Sequence, residues 1–308
     1  MAYVLAVLAA FANALTTILQ RLGVETAPEE TTMRLSLLAH ALRRKVWLAG
    51  FGVMIAAFLL QFAALHFGGL VSVQPVLTLE LPFLVAILGT WFRHQLGWRE
   101  WAGAIAAAGG LAAFLVIARP GGGTDLPGFS DWSIVSAACV AAAAIAVLLT
   151  RRGSQAWRAA MFGVSAAIAF AFTAALIKET NLQISQSWGS LLTHWAPYAL
   201  AASGLAGMFL AQNAFHAGPV TASQATLVIV DPLASIAIGI GLFGDRLMTD
   251  GARGPGEALA LIVLFIGAYS LARSPLVASV KTEEDSGTEH LLARRHKGGD
   301  PAAVWGQG

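Results

Sequence analysis

The chain reads as an all-α integral membrane protein of about nine transmembrane helices, set out as two inverted repeats of four and five. Three observations predict this. Hydrophobic residues make up 57% of the 308 residues and charged ones 12%, with a mean hydropathy of +0.69. So little polar surface cannot cover a soluble globule of this size. Nine apolar runs have the length of roughly 17 to 25 residues that a helix needs to cross about 30 Å of hydrocarbon. Finally, the stretch from Leu60 to Trp91 returns without a gap, shifted by 150 positions, as Leu210 to Gly241. The two copies share Leu60/Leu210, Ala64/Ala214, His66/His216, Gly68/Gly218, Gln74/Gln224, Leu77/Leu227, Pro82/Pro232 and Gly89/Gly239. Chance similarity of apolar composition would recycle Ala, Leu and Val, whereas this match keeps a His, a Gln, a Pro and two Gly in register; the chain is a duplication.

The first run, 2–20, has no Lys or Arg ahead of its apolar core and is expected to be a retained span, not a secretory signal. Residues 21–45 are too charged to span and suit a short helix on the membrane surface. Runs 46–66 and 70–92 carry the first copy of the repeated stretch, and 98–118 closes the first repeat (1–118). An external linker, 119–131, leads into the second repeat (132–273). Its runs are 132–150, 157–177, 195–216, 219–243 and 256–272, the third and fourth holding the second copy. The lone Cys139 has no Cys or His at ligand spacing, which excludes a disulfide framework and a zinc site. Residues 274–308 are polar and charged, without an apolar face, and are expected to form a disordered cytoplasmic tail.

Lys and Arg set the orientation. With the N-terminus outside, fifteen of the nineteen fall on inner segments and four, Arg119, Lys178, Arg246 and Arg253, on outer ones. The positive-inside rule then places the N-terminus outside and the C-terminus in the cytoplasm, in the cytoplasmic membrane. Each repeated span and its counterpart are five places apart in the order of spans, an odd offset, so the copies lie in opposite orientations. One span precedes the repeated pair in the first half and two precede it in the second. Inverted repeats with a midplane site where they meet are typical of secondary transporters.

The chemistry must come from polar groups inside the spans. Each copy has one carboxylate just before its shared proline, Glu80 ahead of Pro82 and Asp231 ahead of Pro232, in apolar sequence where a charge is costly. Pro75, Pro82 and Pro232 remove backbone donors and free carbonyls of the preceding turn, which makes them candidate hinges beside a water-lined cavity. Gln224 and Asp231 are seven apart and share a helical face; Gln74 and Glu80, six apart, align less well. Asn13, Thr16, Thr17 and Gln20 fall on one face of the first span, and Gln212, with Asn213 beside it, shares a face with His216. The expected substrate-binding set is Glu80, Asp231, Gln74, Gln224, Asn13, Gln20, Gln212, Asn213 and His216. Interhelical hydrogen bonding and plain packing kinks are the competing readings of the same residues. A carboxyl group in an apolar site that exchanges a proton with either side would couple transport to a proton gradient.

At these residues the sequence resembles a known family. The run AQNAFHAGPVTASQATLVIVDPLASIAIGIGLFGD looks like the second-half signature of the drug/metabolite transporter superfamily (EamA-like), and SVQPVLTLELPFLVAILG is similar to its first-half counterpart. The usual member has ten helices in two inverted groups of five. A nine-helix layout lacking the second helix, together with ANALTTILQRLG and the VQP before the acid, looks more like the NIPA-type branch, which is associated with magnesium transport. The resemblance covers roughly residues 1–273. One departure stands out: where the family pattern closes each repeated helix with Glu, this chain has Asp245 in the second half and only His94 and Gln95 in the first. Asp245, read as lying at the external end of its span, is expected to tolerate neutralisation better than Asp231.

Three classes of function are weighed. A transporter accounts for the repeats, the prolines and the acids. No Walker, HExxH or GxSxG motif is present, so no ATP hydrolysis or enzymatic activity is expected. A scaffold built on Gly and Ala faces would leave the paired acids unexplained. The expected partners are the bilayer and a small-molecule or cation substrate, with no nucleic acid and no cofactor. Glu80 and Asp231 are the candidate magnesium ligands, since Mg²⁺ takes one or two carboxylates and keeps most of its waters. No Lys or Arg is expected in the middle of a span, which leaves an anionic substrate without a counter-charge.

Overall fold

The computed structural model describes residues 1–24, 45–91, 96–121, 123, 127–186, 189, 193–247 and 253–274, with backbone only for 20–24 and 45–47. The surface helix expected within 21–45 falls mostly outside these residues, as does the tail beyond Ser274. The described chain is almost wholly helical: α1 (Ala2–Val24), α2 (Lys45–Phe67), α3 (Leu70–Leu77), α4 (Glu80–Thr90), α5 (Trp98–Ala118), α6 (Phe129–Leu149), α7 (Gln155–Gln186), α8 (Ala196–Ala217), α9 (Val220–Phe243) and α10 (Arg253–Ala272). Among the described residues there is no strand, only a single antiparallel bridge between Gly121 and Arg246.

Among the described residues, eight segments are long and apolar enough to cross a membrane, and the protein is a membrane protein. Of the nine expected spans, α8 falls short of that standard. Its 22 residues are long enough, but Ala, Gly and Ser dominate it and Gln212, Asn213 and His216 lower its hydropathy. At the other extreme α7 has 32 residues, about 48 Å at 1.5 Å per residue. It outruns the hydrocarbon, and it continues well beyond the expected end at 177 because no Gly or Pro interrupts the sequence up to Gln186.

The contacts of the two halves mirror each other. α1 packs along α2 as α7 packs along α8; α1 also meets α3 and α4 as α7 meets α9. Corresponding helices touch across the halves, α3 with α9 and α5 with α10. Only α6 stands apart, resting on α7 and more lightly on α9, with just Trp132 and Ala146 buried. The α5–α10 seam is closed by small residues: a Cβ on Gly110 would stand 2.8 Å from Leu264 Cα, and one on Gly267 would stand 2.7 Å from the Gly103 carbonyl. Close backbone approach of this kind is how helices gain packing energy in lipid, where no hydrophobic force joins them.

The third span is broken. α3 ends at Leu77 and α4 starts at Glu80. Pro82 has no N–H to offer the Thr78 carbonyl, which takes the Leu81 N–H instead (3.3 Å). Thr78 Oγ1 donates to the Pro75 carbonyl at 2.7 Å, competing with the backbone ladder at the same turn. In the second copy Ala225 and Val228 replace Pro75 and Thr78, and α9 runs unbroken through Pro232. One proline alone is absorbed; two prolines and a threonine are not.

Candidate functional site

Among the polar residues buried inside the helical body, two groups stand out. The first surrounds the break. Gln74 on α3, Gln224 on α9 and Thr16 on α1 are all more than nine-tenths buried. Gln74 Nε2, Gln224 Oε1 and Thr16 Oγ1 have no hydrogen-bond partner. Such atoms normally pair with protein or water, and an unpaired one costs about 1–3 kcal/mol. Ala14 and Ile18, either side of Thr16, share one apolar cluster with Leu81 and with Ala225, the neighbour of Gln224. The same region of α1, α4 and α9 is therefore continuous.

Glu80 is half-buried and occupies the first turn of α4, where the helix dipole favours a negative charge. The break, by starting a new helix there, is what gives Glu80 that position. Asp231 is half-buried on α9 and accepts a hydrogen bond from Ser235 Oγ at 3.3 Å. Asn13 is half-buried too, and its carbonyl accepts from Thr17 Oγ1 at 3.1 Å. Gln20 lies in the last turns of α1 with its side chain outside the described part. The structure turns Gln212 and His216 outward, onto the exposed face of α8. Asn213 Nδ2 is spent on the Phe209 carbonyl at 2.7 Å. Sharing a helical face did not make that face the inner one. Of the candidate hinges, Pro75 and Pro82 bracket a real break and Pro232 does not. Among the described residues, no group of three or more His, Cys, Asp or Glu is placed to hold a metal ion.

The second group escaped the sequence reading. Lys178, counted there as an outer-loop residue, lies within α7 and is buried, and its Nζ donates to Asp245 Oδ1 at 2.6 Å. The side chains are 4% and 0% exposed. Asp245 also accepts from the Gly123 N–H (Oδ1, 2.6 Å) and the Val71 N–H (Oδ2, 3.2 Å). Local geometry aims it there. Gly244 takes the left-handed conformation (φ 64°) that ends α9, and the Asp245 N–H folds back on the Gly239 carbonyl at 3.0 Å. The carboxylate enters a cleft walled by glycine backbone, since a Cβ on Gly69 or Gly239 would come within 2.7 Å of it. Gly69 starts α3 with no capping side chain of its own, so Asp245 caps that helix from the other half of the chain. Lys178 Nζ also lies 4.6 Å from the centre of the Phe243 ring, within cation–π range. The expectation that Asp245 is a mildly sensitive terminal residue does not survive this burial and these partners. The legible signal was the unbroken helical run LIKETNLQISQ after Ala175, which carries Lys178 inside.

Beside this pair is a cavity of about 200 Å³ lined by Leu65, His66, Gly68, Lys178, Asn181 and Ser185 among others. Asn181 fastens α7 to α2 through the Phe62 carbonyl at 2.9 Å, and His66 and Phe67 are exposed at the end of α2.

No family model matches the sequence, and no solved structure matches it. The chain is similar to an uncharacterized protein of Corynebacterium glutamicum, 29% identical over 278 residues that make up 88% of this chain and 95% of that protein.

Proposed function

We propose that the protein is a multi-pass secondary transporter that moves a small solute across the cytoplasmic membrane by alternating access, with the N-terminus outside. The observation that carries this reading is the mirrored set of helix contacts, in which α3 meets α9 and α5 meets α10 around a broken helix. Two halves that repeat each other's neighbours in opposite orientations can exchange conformations by rocking about their common axis. The same contacts match α1 with α7, so the helix that the first half lacks is the counterpart of α6. This favours a drug/metabolite transporter-like layout, with the missing helix the first one of its half instead of the second.

The substrate site is assigned to Glu80, Asp231, Gln74, Gln224 and Asn13, with Thr16 added. Two carboxylates favour a cationic or amine-bearing solute, with proton exchange at either acid as the coupling. Magnesium is the second reading, supported by Gln224 Oε1: waters held by Mg²⁺ donate hydrogen bonds, which this atom and the two acids would accept. The Gln74 Nε2 donor would remain unpaired around a hydrated cation. An organic amine that also carries an acceptor would satisfy the idle atoms of Gln74, Gln224 and Thr16, and it is the preferred class.

The test is flux in reconstituted vesicles against a panel of amines and Mg²⁺, with Asp231→Asn and Glu80→Gln. Loss of a charge-assisted contact of about 1.5 to 3 kcal/mol should weaken apparent affinity roughly ten- to more than a hundredfold. Normal expression with unchanged flux in both variants would sink the assignment.

A further inference from the structure

We propose that Lys178 and Asp245 form the lock that shuts the transport path at one end of the molecule, with the neighbouring cavity of about 200 Å³ as the vestibule in front of it. The proposal rests on the alternating-access reading and adds to it which end is held shut and by which groups.

Four separate stretches of chain meet at one carboxylate: the start of α3 through Val71, the α5–α6 connection through Gly123, α7 through Lys178, and Asp245 itself just past α9. The first belongs to the first repeat and the last two to the second. While these contacts stand, the two halves cannot separate at this end. The walls are backbone, from Gly69, Gly123 and Gly239, so the carboxylate sits against the helices with no side chain between. Among the described residues, the opposite end shows no matching acid cap. At a shift of 150 in the sequence, Gln95 stands where Asp245 stands, and Pro219, the N-cap residue of α9, gives that helix no side-chain cap. Among the described residues, an acid that caps the partner repeat's helix is therefore seen at one end only.

The chemistry suits a contact that opens and closes. A buried ion pair adds little net stability compared with an apolar pair, but removing one partner is costly. It therefore specifies one arrangement more than it strengthens it. Lys178 is on the cavity wall together with Asn181 and Ser185. When the halves part, both charges gain access to water through the vestibule in place of lipid, which lowers the cost of separation.

Single-cysteine labelling in a Cys139→Ser background tests this, with an impermeant thiol reagent applied to either side of oriented vesicles. Ser185→Cys reports the vestibule. Val228→Cys reports the path behind the lock, since Gln224, Val228 and Asp231 share a face of α9. In the parent, position 185 should react from the lock side and position 228 only from the opposite side. With Lys178→Met or Asp245→Asn, labelling of position 228 from the lock side should rise about tenfold or more, the sign of a shifted population. Position 185 should react as before.

The outcomes are separable. If position 228 in the parent reacts from neither side, the alternating-access reading fails. If it reacts from the opposite side but gains nothing from the lock side in either variant, the lock fails and the transporter reading stands. Should the neutral variants not fold, Asp245→Glu keeps the charge and is one methylene too long for the glycine-walled cleft. Lock-side labelling of position 228 above the parent's then supports the lock, and labelling equal to the parent's overturns it.

Discussion

Gln74 and Gln224 occupy the same position in the two copies, and each is buried with an idle polar atom. A protein that needed them only for packing would do better with an apolar residue of like shape. Gln224→Met should therefore leave thermal stability unchanged or raise it by about 1–3 kcal/mol, the cost of an unpaired buried group, while flux falls. A melting curve and a transport assay on one preparation check both arms, and a large loss of stability would return Gln224 to a structural role. At this scale the sequence was informative wherever it repeated itself: Gln74, Gln224, Glu80 and Asp231 were all visible as polar residues in or beside matched positions of apolar spans. Lys178 was not. Nothing in its own neighbourhood shows that the acid it pairs with is 67 residues away, because ion pairing across helices leaves no local pattern. Gln212 and His216 show the converse. Their spacing fixed a common face, but which way that face points depends on the packing of α8 against α7.

Among the elements, the break between α3 and α4 separates two otherwise similar copies. Prolines marked the candidate hinges in both copies of the repeated stretch. Only the structure shows that Pro75, Thr78 and Pro82 act together while Pro232 alone is absorbed. The combined variant Pro75→Ala/Thr78→Val gives the first copy the residue types of the second. It should join α3 and α4 into one helix and stabilise the protein by up to about 3 kcal/mol, the usual cost of an interior proline. Flux should drop, since Glu80 would lose its place in a first turn. Distances between spin labels at 70 and 88 report the joining, and an unchanged distance distribution would mean that Pro82 suffices for the break. Span lengths were legible because bilayer thickness sets them. The extension of α7 to Gln186 was not, because hydropathy falls at Lys178 while the helix continues on its own propensity and on packing against α2 and α9.

For the whole molecule, run lengths predict nine spans, of which eight are long and apolar enough to cross a membrane among the described residues; the inverted repeat is predicted by the shift of 150 and the proposed orientation rests on charge alone. With Lys178 withdrawn from the outer count, the proposed orientation puts fifteen basic residues inside and three outside. An impermeant reagent on intact cells should therefore reach a cysteine at Ser130 and miss one at Ser154; the reverse pattern would invert the molecule. Asp245 as the cap of α3 has a temporal side as well. The two partners are 174 residues apart in the chain. At the usual ribosomal pace of about 5–20 residues per second, roughly 9 to 35 s separate the appearance of Val71 from that of its acceptor. For that interval the Val71 N–H at the start of α3 is without the carboxylate that caps it in the finished chain. The two repeats are therefore not independent products of synthesis, and the first waits for the second to complete it.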